Sequence, residues 1–256
     1  MATDLVLETR DLVKQFGGFL AVSGVSMQVK RGTIHAMIGP NGAGKTTVFN
    51  LLTKFLQPTR GAILFDGQDI TFHQPADIAR HGLVRSFQIS AVFPHLSVLE
   101  NVRVALQRPM GNSFHFWKSG RVLNTLNTRA MEILELVGLE SKAPMLAADL
   151  AYGQKRALEL ATTLALDPKV MLLDEPTQGM GAEDIVRITG LIQKAAKGRT
   201  VLMVEHNMSV VSSIADTITV LQRGTVIDEG SYETVSKNPK VIEAYMGVES
   251  SEFGHH

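Results

Sequence analysis

The stretch GPNGAGKTT, residues 39–47, constrains the fold more than any other part of this 256-residue chain. It fits the pattern G-x-x-x-x-G-K-[ST] and follows TIHAMIG, an apolar run that predicts a buried strand. The next segment, GKTTVFNLLTKFL, has apolar residues at helical spacing: Val48, Leu51, Leu52 and Phe55. A glycine-rich turn between a buried strand and a helix points its backbone N–H groups inward, so this context predicts a phosphate-binding loop.

Three side chains of this loop have the chemistry that a nucleotide requires. Lys45 supplies a positive charge for the β- and γ-phosphates, Thr46 offers a hydroxyl to Mg²⁺, and Thr47 reaches toward the α-phosphate. A glycine-rich turn that binds no ligand is the alternative interpretation, and the flanking strand and helix disfavour it.

Two acids, Asp174 and Glu175, end the apolar run VMLLDE. Ligands of α/β proteins bind at the carboxyl ends of parallel strands. We therefore expect Asp174 to hold Mg²⁺ through water and Glu175 to polarise an attacking water. Without the phosphate-binding loop, the same two acids would indicate only a surface turn. The Asn-Lys-x-Asp motif that GTP-binding proteins use to read the base does not occur in the sequence.

A second candidate anion site lies in LAYGQKR, residues 150–156, just before an amphipathic segment. Gly153 and Gln154, followed by the cations Lys155 and Arg156, stand at a predicted helix N-terminus, which attracts anions.

The remaining patterns predict an α/β protein. LVLETRDLVK and GVSMQVKRG alternate as half-buried antiparallel strands, and GAILFDGQDI is a strand with a turn at Asp66 and Gly67. KVMLLDE and RTVLMVEH are continuous apolar runs, typical of parallel strands, and ITVLQRGTVIDEG predicts two strands around Arg223 and Gly224.

The middle of the chain, residues 89–146, is more polar and more helical. One helix is expected to end at Gly138 and to bury one face: Met131, Leu134, Val137 and Leu139. Residues 108–120 contain the single Trp and two glycines and predict an irregular insertion, most simply a surface loop.

Composition excludes several functional classes. Lys and Arg number 25, as do Asp and Glu, so no basic nucleic-acid-binding surface is indicated. The chain has no cysteine and therefore no disulfide. We expect no signal peptide and no membrane span, and residues 251–256 resemble a cloning remnant.

The order of these motifs resembles that of the ATP-binding-cassette (ABC) ATPases, the nucleotide-binding subunits of ABC transporters. The phosphate-binding loop is followed by Gln88 in RSFQ, a helical block, LAYGQ, VMLLDEPT and MVEH, and the resemblance extends to about residue 247. It implies an α/β, P-loop NTPase cassette: a RecA-like mixed core with an N-terminal antiparallel β-subdomain and an inserted helical subdomain. Residues 4–88 and 160–235 would form the core, 89–159 the helical subdomain and 236–247 a C-terminal helix, together one domain spanning 4–247.

The resemblance also implies roles for individual residues, with ATP and Mg²⁺ as cofactors. Catalytic roles fall to Glu175, His206, Lys45 and Gln88, and metal contacts to Thr46, Gln88 and Asp174. The nucleotide would contact a larger set: Phe16, Val22, Gly39, Pro40, Asn41, Gly42, Ala43, Gly44, Lys45, Thr46, Thr47, Ala151, Tyr152, Gly153 and Gln154. Phe16 would stack on adenine, although a core aromatic at a strand end is the alternative. LAYGQ would cap the nucleotide of a second, head-to-tail subunit.

This chain departs from the family pattern at three positions. Ala151 replaces the serine of the signature, Tyr152 replaces its first glycine, and Gly181 stands where the family commonly has aspartate. LAYGQ, FGGFLAVSGVSM, KNPKVIEAYMG and the polar insertion at residues 115–127 are similar to ATPases of importers for branched-chain amino acids and their amide or urea relatives.

The resemblance further implies partners and location. They are a transmembrane permease, a second ATPase subunit (identical or different) and, indirectly, a solute-binding protein outside the cytoplasm. The chain would be cytoplasmic and peripheral on the inner face of the membrane. The permease is expected to dock near residues 89–102 on Phe93, Leu96 and Val98, unless these pack internally. A soluble ABC-type ATPase and the ATPase of a lipid or lipopolysaccharide exporter remain the alternative functions.

Overall fold

The computed structural model describes residues 4–86, 92–107 and 120–252. The strands are β1 (Leu5–Phe16), β2 (Phe19–Lys30), β3 (Ile34–Ile38), β4 (Arg60–Phe65), β5 (Gln68–Asp69), β6 (Leu83–Arg85), β7 (Val170–Asp174), β8 (Thr200–Val204), β9 (Thr217–Gln222) and β10 (Thr225–Gly230). The helices are α1 (Lys45–Leu52), α2 (Pro75–Arg80), α3 (Val98–Gln107), α4 (Gly120–Leu136), α5 (Tyr152–Ala165), α6 (Ala182–Ala195), α7 (Met208–Ile214), α8 (Tyr232–Val235) and α9 (Pro239–Glu252).

An antiparallel sheet near the N-terminus has the strand order β2-β1-β4-β5. β1 pairs with β2 and with β4, and several register shifts interrupt the β1–β2 ladder. Asp66 and Gly67, with φ angles of 49° and 77°, form the turn from β4 to β5. The alternating sequences therefore form the predicted half-buried antiparallel strands.

A second sheet has the order β10-β9-β3-β8-β7-β6. All of its neighbouring strands are parallel except β9 and β10, which join through the predicted turn at Arg223 and Gly224. Every residue of β3, β7 and β8 is buried, as their continuous apolar sequences predict. The mixed sheet, its covering helices and the antiparallel layer confirm the predicted α/β class.

The two faces of the mixed sheet pack into separate cores because successive strand residues point in opposite directions. In β8, Val201 and Met203 pack with α3–α7, whereas Leu202 and Val204 pack with α1 and the antiparallel sheet. The phosphate-binding loop therefore emerges between two fully packed layers.

Two apolar residues lie outside the helix faces that their spacing predicts. Phe55 lies beyond the end of α1 and is 54% exposed, because α1 ends at Leu52 and the chain turns at Lys54. Met131 is exposed on α4, whose buried face consists of Leu126, Ala130, Ile133 and Leu134 and continues into Val137 and Leu139. For Val98, where a docking surface and internal packing were both open, the structure shows internal packing: it is fully buried because it begins α3 against α4 and α5.

The helical block consists of α3 and α4, which pack on each other and on α5. α5 runs continuously across the predicted boundary at residue 159, so the division into subdomains stays a prediction. Gln88 and residues 108–119 of the predicted insertion lie outside the described residues. At the C-terminus, α9 extends to Glu252 and so includes the first two residues of the segment 251–256 that resembles a cloning remnant. Within the described ranges, no helix is long and apolar enough to cross a membrane.

A buried histidine in β3 makes stability depend on pH. Burial lowers the pKa of His35 to about 4, and its Nε2 lies 2.6 Å from the Thr219 hydroxyl, which donates to Glu229. Between pH 6.5 and 4 the unfolded chain binds more protons at this residue than the folded chain does, so the free energy of unfolding decreases as pH falls. We expect a loss of about 2 kcal/mol between pH 7.5 and 5.

Urea unfolding at the two pH values measures this loss. His35→Gln keeps an N–H donor for Thr219 but does not titrate, so its unfolding free energy should lose this part of the pH dependence. Burial raises the pKa of Glu229, whose contribution therefore has the opposite sign, and the variant comparison isolates the histidine. Equal pH dependence in both proteins would contradict the prediction.

Candidate functional site

The phosphate-binding loop leaves the central strand of the mixed sheet. β3 lies between β9 and β8 and ends at Ile38, directly before the loop. Gly39 has a φ angle of 150°, and a Cβ there would lie 2.2 Å from the Leu221 carbonyl oxygen. Gly44 has a φ angle of 101°, and a Cβ there would lie 2.7 Å from the Ala21 carbonyl oxygen. Both positions therefore require glycine, since the loop is pressed onto β9 and β2.

Lys45 begins α1, and its ammonium group folds back over the loop. Its Nζ donates hydrogen bonds to the carbonyl oxygens of Gly39, at 2.6 Å, and Pro40, at 3.0 Å. Burial lowers the pKa of Lys45, and the charges of Glu175 and Asp174 partly oppose this effect. The ammonium is thus held by acceptors that phosphate oxygens can replace.

The rest of the loop surrounds the N-terminus of α1. Asn41, Gly42 and Thr46 are exposed, Thr47 is half-buried and Ala43 is buried. The first N–H groups of a helix have no acceptor within it, and they carry a partial positive charge. Backbone donors, an ammonium and a hydroxyl therefore converge on one anion-binding position.

Asp174 ends β7 and is held by an arginine that the sequence analysis did not identify. Arg85, the last residue of β6, donates from Nη2 to the Asp174 carboxylate and from Nη1 to Asn50 Oδ1 at 2.7 Å. The arrangement connects α1, β6 and β7 at the edge where the strands end. No sequence pattern indicates this pairing, because it depends on β6 lying beside β7.

Hard oxygen ligands are available for a cation at this edge. The Thr46 hydroxyl and the Asp174 carboxylate are of the type that Mg²⁺ prefers. Among the described residues, no group of three His, Cys, Asp or Glu side chains forms a complete metal site. These two oxygens fit a Mg²⁺ that takes its remaining ligands from phosphate and water, as Mg²⁺ commonly does.

Glu175 and His206 approach each other from neighbouring strands. Glu175 follows β7 with a φ angle of 45°, and its N–H donates to the Val204 carbonyl at 2.9 Å. His206 follows β8, and its Nδ1 lies 3.9 Å from Glu175 Oε1. The imidazole is 54% exposed and the carboxylate 24%, so both face accessible space beside the phosphate-binding loop.

The second candidate anion site is a helix N-terminus, as predicted. Gln154 Oε1 accepts a hydrogen bond from the Ala151 N–H at 3.1 Å, which caps the start of α5. Gly153 is buried, and a Cβ there would lie 2.4 Å from Asp184 Oδ1 on α6. A larger residue at position 153 would therefore displace the Asp184 carboxylate from its place against α5.

One of the two cations that follow, Arg156, differs from the prediction. Arg156 is buried and pairs with Glu159 at 2.9 Å, so it is held within the chain rather than offered to an external anion. Its Nη2 also donates to the Tyr152 hydroxyl at 3.3 Å, which in turn donates to the Gln178 carbonyl at 3.0 Å. Tyr152, expected only among the nucleotide contacts, thus connects α5 with the loop after Glu175.

The other predicted contacts are spread over the N-terminal sheet. Phe16 is 44% exposed at the end of β1, with Lys14 Nζ 5.0 Å from the centre of its ring, so it is not a core aromatic. Val22 is fully buried. In the described part of the chain, no hydrogen bond or ion pair joins residues 151–154 to residues 39–47.

Comparison with protein families gives two matches. The family described as "ABC transporter" matches residues 22–178, more than half of the chain. The family described as "Branched-chain amino acid ATP-binding cassette transporter" matches residues 226–250, which include β10, α8 and most of α9.

Curated relatives match over almost their whole length. The high-affinity branched-chain amino acid transport ATP-binding protein BraF of Pseudomonas aeruginosa is 41% identical, over 94% of this chain and 98% of its own. LivG of Escherichia coli K12, which has the same description, is 37% identical over 94% of this chain and 98% of its own. Among solved structures, the ADP conformation of MJ1267, an ATP-binding cassette of an ABC transporter, has a TM-score of 0.83 and 32% identity, covering 96% of this chain and 100% of that one.

Proposed function

The chain belongs to the ABC transporter family, and we propose that it binds and hydrolyses ATP to power solute uptake through a partner permease. The proposed solutes are branched-chain amino acids or related amino-acid, amide or urea compounds. One observation carries the catalytic part: Lys45, Asp174, Glu175 and His206 meet where β3, β7 and β8 end. The names of the relatives and the C-terminal family match support the solute class.

The nucleotide phosphates would bind over the loop of residues 39–47. Lys45 would exchange the carbonyl oxygens of Gly39 and Pro40 for phosphate oxygens, and the N–H groups at the start of α1 would complete the site. Thr46 and Asp174 would hold Mg²⁺, which neutralises charge on the phosphates when bound. Phe16, exposed at the end of β1, is suited to stack on the adenine.

Glu175 is the proposed general base. Its carboxylate would orient a water and accept its proton, since phosphoryl transfer depends mainly on positioning and electrostatic stabilisation. His206, whose Nδ1 is 3.9 Å from that carboxylate, would stabilise negative charge on the transferred phosphoryl group. Gln88, outside the described residues, retains its expected role as a sensor of Mg²⁺ and water.

A second cassette subunit would complete each site. The start of α5 makes no hydrogen bond to the phosphate-binding loop of its own chain within the described residues, and Ala151 and Tyr152 are exposed there. We propose that it covers the γ-phosphate bound to the partner. Because Ala151 has no hydroxyl, the backbone N–H groups of α5 would make this contact.

An apolar groove supports docking of a permease. The groove has a volume of about 410 Å³ and lies between residues 53–85 and the helices α3 and α5. Phe55, Phe93 and Val104 line it, and each is at least 40% exposed. Phe93 thus keeps its proposed docking role, whereas Leu96 is half-buried and Val98 is buried. Docking there would place the chain at the inner face of the membrane, opposite an external solute-binding protein.

Uptake of radiolabelled leucine tests this function. Cells of the native host from which this chain has been deleted should lose ATP-dependent leucine uptake. Re-expression of the wild-type chain should restore the uptake, whereas expression of Glu175→Gln should not. Unchanged uptake of leucine, isoleucine, valine, amides and urea in the deleted cells would contradict the importer assignment. Magnesium-dependent ATP hydrolysis by the purified chain would then indicate a soluble or exporter ATPase.

A further inference from the structure

A fully buried glutamate lies next to the proposed catalytic histidine. Glu205 follows β8 and is 0% exposed. Its Oε1 accepts hydrogen bonds from the Thr177 N–H at 3.1 Å and the Thr177 hydroxyl at 2.5 Å. Its Oε2 accepts from the N–H groups of His206 at 3.0 Å and Asn207 at 3.1 Å. Four donors thus surround one buried carboxylate.

This pattern is specific to an acceptor-only group. An ionised carboxylate accepts hydrogen bonds at both oxygens and donates none. A buried charge is costly unless it is paired or well hydrogen-bonded, and no ion pair of Glu205 occurs in the described ranges. The four donors therefore stabilise the carboxylate, and the carboxylate in turn holds two loops in a fixed relation.

The two loops are those that carry the proposed chemistry. Thr177 is two residues after Glu175, and His206 directly follows Glu205. The same carboxylate therefore fixes the backbone on both sides of the 3.9 Å approach between His206 Nδ1 and Glu175 Oε1. The hydrogen bonds of the Glu205 side chain within the described residues go to these two loops and not to the phosphate-binding loop.

The connection continues to α5. Gln178, the neighbour of Thr177, accepts the hydrogen bond of the Tyr152 hydroxyl through its carbonyl oxygen. Within one chain, hydrogen bonds therefore link the His206 loop, the loop after Glu175 and the helix start proposed to cover the partner's nucleotide.

We propose that Glu205 is a positioning residue, which sets the distance between His206 and Glu175 through its hydrogen bonds to Thr177 and to the His206 loop. The proposal rests on the proposed ATP hydrolysis. Glu205 itself touches neither nucleotide nor water in this mechanism. Its effect should therefore fall on the turnover rate and not on ATP affinity.

Two substitutions separate this role from general stability. Glu205→Gln keeps the size of the side chain but replaces one acceptor oxygen by a donor that faces other donors. We expect kcat to fall by about 10- to 100-fold, because a hydrogen bond to a charged group is lost and a buried donor is left unpaired. Thr177→Val removes only the hydroxyl, and kcat should fall by about 3- to 10-fold.

Conservative and remote variants serve as controls. Thr177→Ser restores the hydroxyl and should return kcat to within about twofold of wild type. Thr189→Val removes a comparable hydroxyl, which donates to the Ile185 carbonyl on α6 at 2.7 Å, away from both loops. It should leave kcat unchanged.

The experiment measures steady-state Mg-ATP hydrolysis and the affinity for a fluorescent ATP analogue in all five proteins. A lower kcat for Glu205→Gln and Thr177→Val, with affinity within about threefold of wild type and rescue by Thr177→Ser, supports the proposal. If Glu205→Gln does not fold, the comparison of Thr177→Val with Thr177→Ser tests the proposal by itself.

Three outcomes overturn it. If wild type hydrolyses ATP and the Thr177→Val variant has the same kcat, the positioning role of Glu205 through Thr177 is rejected. The proposed function is then unaffected. A loss of ATP affinity as large as the loss of rate assigns Glu205 to nucleotide binding instead. Wild-type protein that binds the analogue but does not hydrolyse ATP, alone or with its permease, rejects the proposed function as well.

Discussion

Replacing Glu175 by glutamine is expected to reduce ATP hydrolysis by about 100- to 10,000-fold, the usual contribution of a positioned general base. Glutamine has nearly the same size but cannot accept the proton of the attacking water. ATP should still bind, since Lys45 and the loop of residues 39–47 are untouched. Phosphate release under Mg-ATP measures the rate, and a fluorescent ATP analogue measures binding.

The same variant tests the proposed closed dimer. Light scattering should give the mass of one 27.9 kDa chain without nucleotide and twice that mass with Mg-ATP, because the γ-phosphate is retained between two subunits. Glu183→Gln, an exposed glutamate on α6, is the matched control and should hydrolyse ATP like wild type. Hydrolysis by Glu175→Gln within about tenfold of wild type would contradict the assignment of the base. A monomer that binds ATP would indicate a different partner subunit.

Replacing Lys45 by alanine is expected to weaken ATP binding by about 10- to 100-fold, because a charged hydrogen-bond donor to the phosphates is lost. The effect should also be visible as a loss of ligand stabilisation. ATP at 100 times its Kd stabilises wild type by about 2.7 kcal/mol, which for a chain of this size raises Tm by about 5–10 °C. At the same concentration, Lys45→Ala should be stabilised by only about 0.4–1.4 kcal/mol, so its increase in Tm should be at most about half that of wild type.

Differential scanning fluorimetry with and without Mg-ATP makes this comparison. Lys197→Ala removes an exposed lysine after α6 and should keep the full increase in Tm. An equal increase in both variants would show that Lys45 does not contact the nucleotide.

Local patterns were sufficient to predict the long strands of the N-terminal sheet and the buried strands β3, β7 and β8, but not the short strand β6. Alternation in β1 and β2 and the continuous apolar runs of β3, β7 and β8 correspond to surfaces that the strand geometry itself creates. Prediction failed where a residue lay beyond the end of an element or on the unexpected side of it. Phe55 follows the last turn of α1, and Met131 lies on α4 beside the buried stripe.

Candidate site residues that lie within motifs could be named from the sequence, and the structure brings them close together. Lys45, Asp174 and Glu175 were found because each occupies a recognisable position at the end of a strand or the start of a helix. The contacts of Arg85 with Asp174, of Tyr152 with Gln178 and of Glu205 with Thr177 were not predicted, because these partners are 26 to 89 residues apart in the chain. No local pattern encodes such pairs.

Local sequence patterns were enough to predict the fold class and the strand–loop–helix unit of residues 34–52. Both depend on interactions between near neighbours: strand periodicity, glycines that permit positive φ, and the helix that starts at Lys45. Packing in three dimensions was needed to show that the Arg156–Glu159 pair, three residues apart on α5, is buried, and that Glu205 joins the loops of Glu175 and His206. These contacts form when β7, β8 and α5 pack side by side, and the burial created by that packing selects which polar groups must pair.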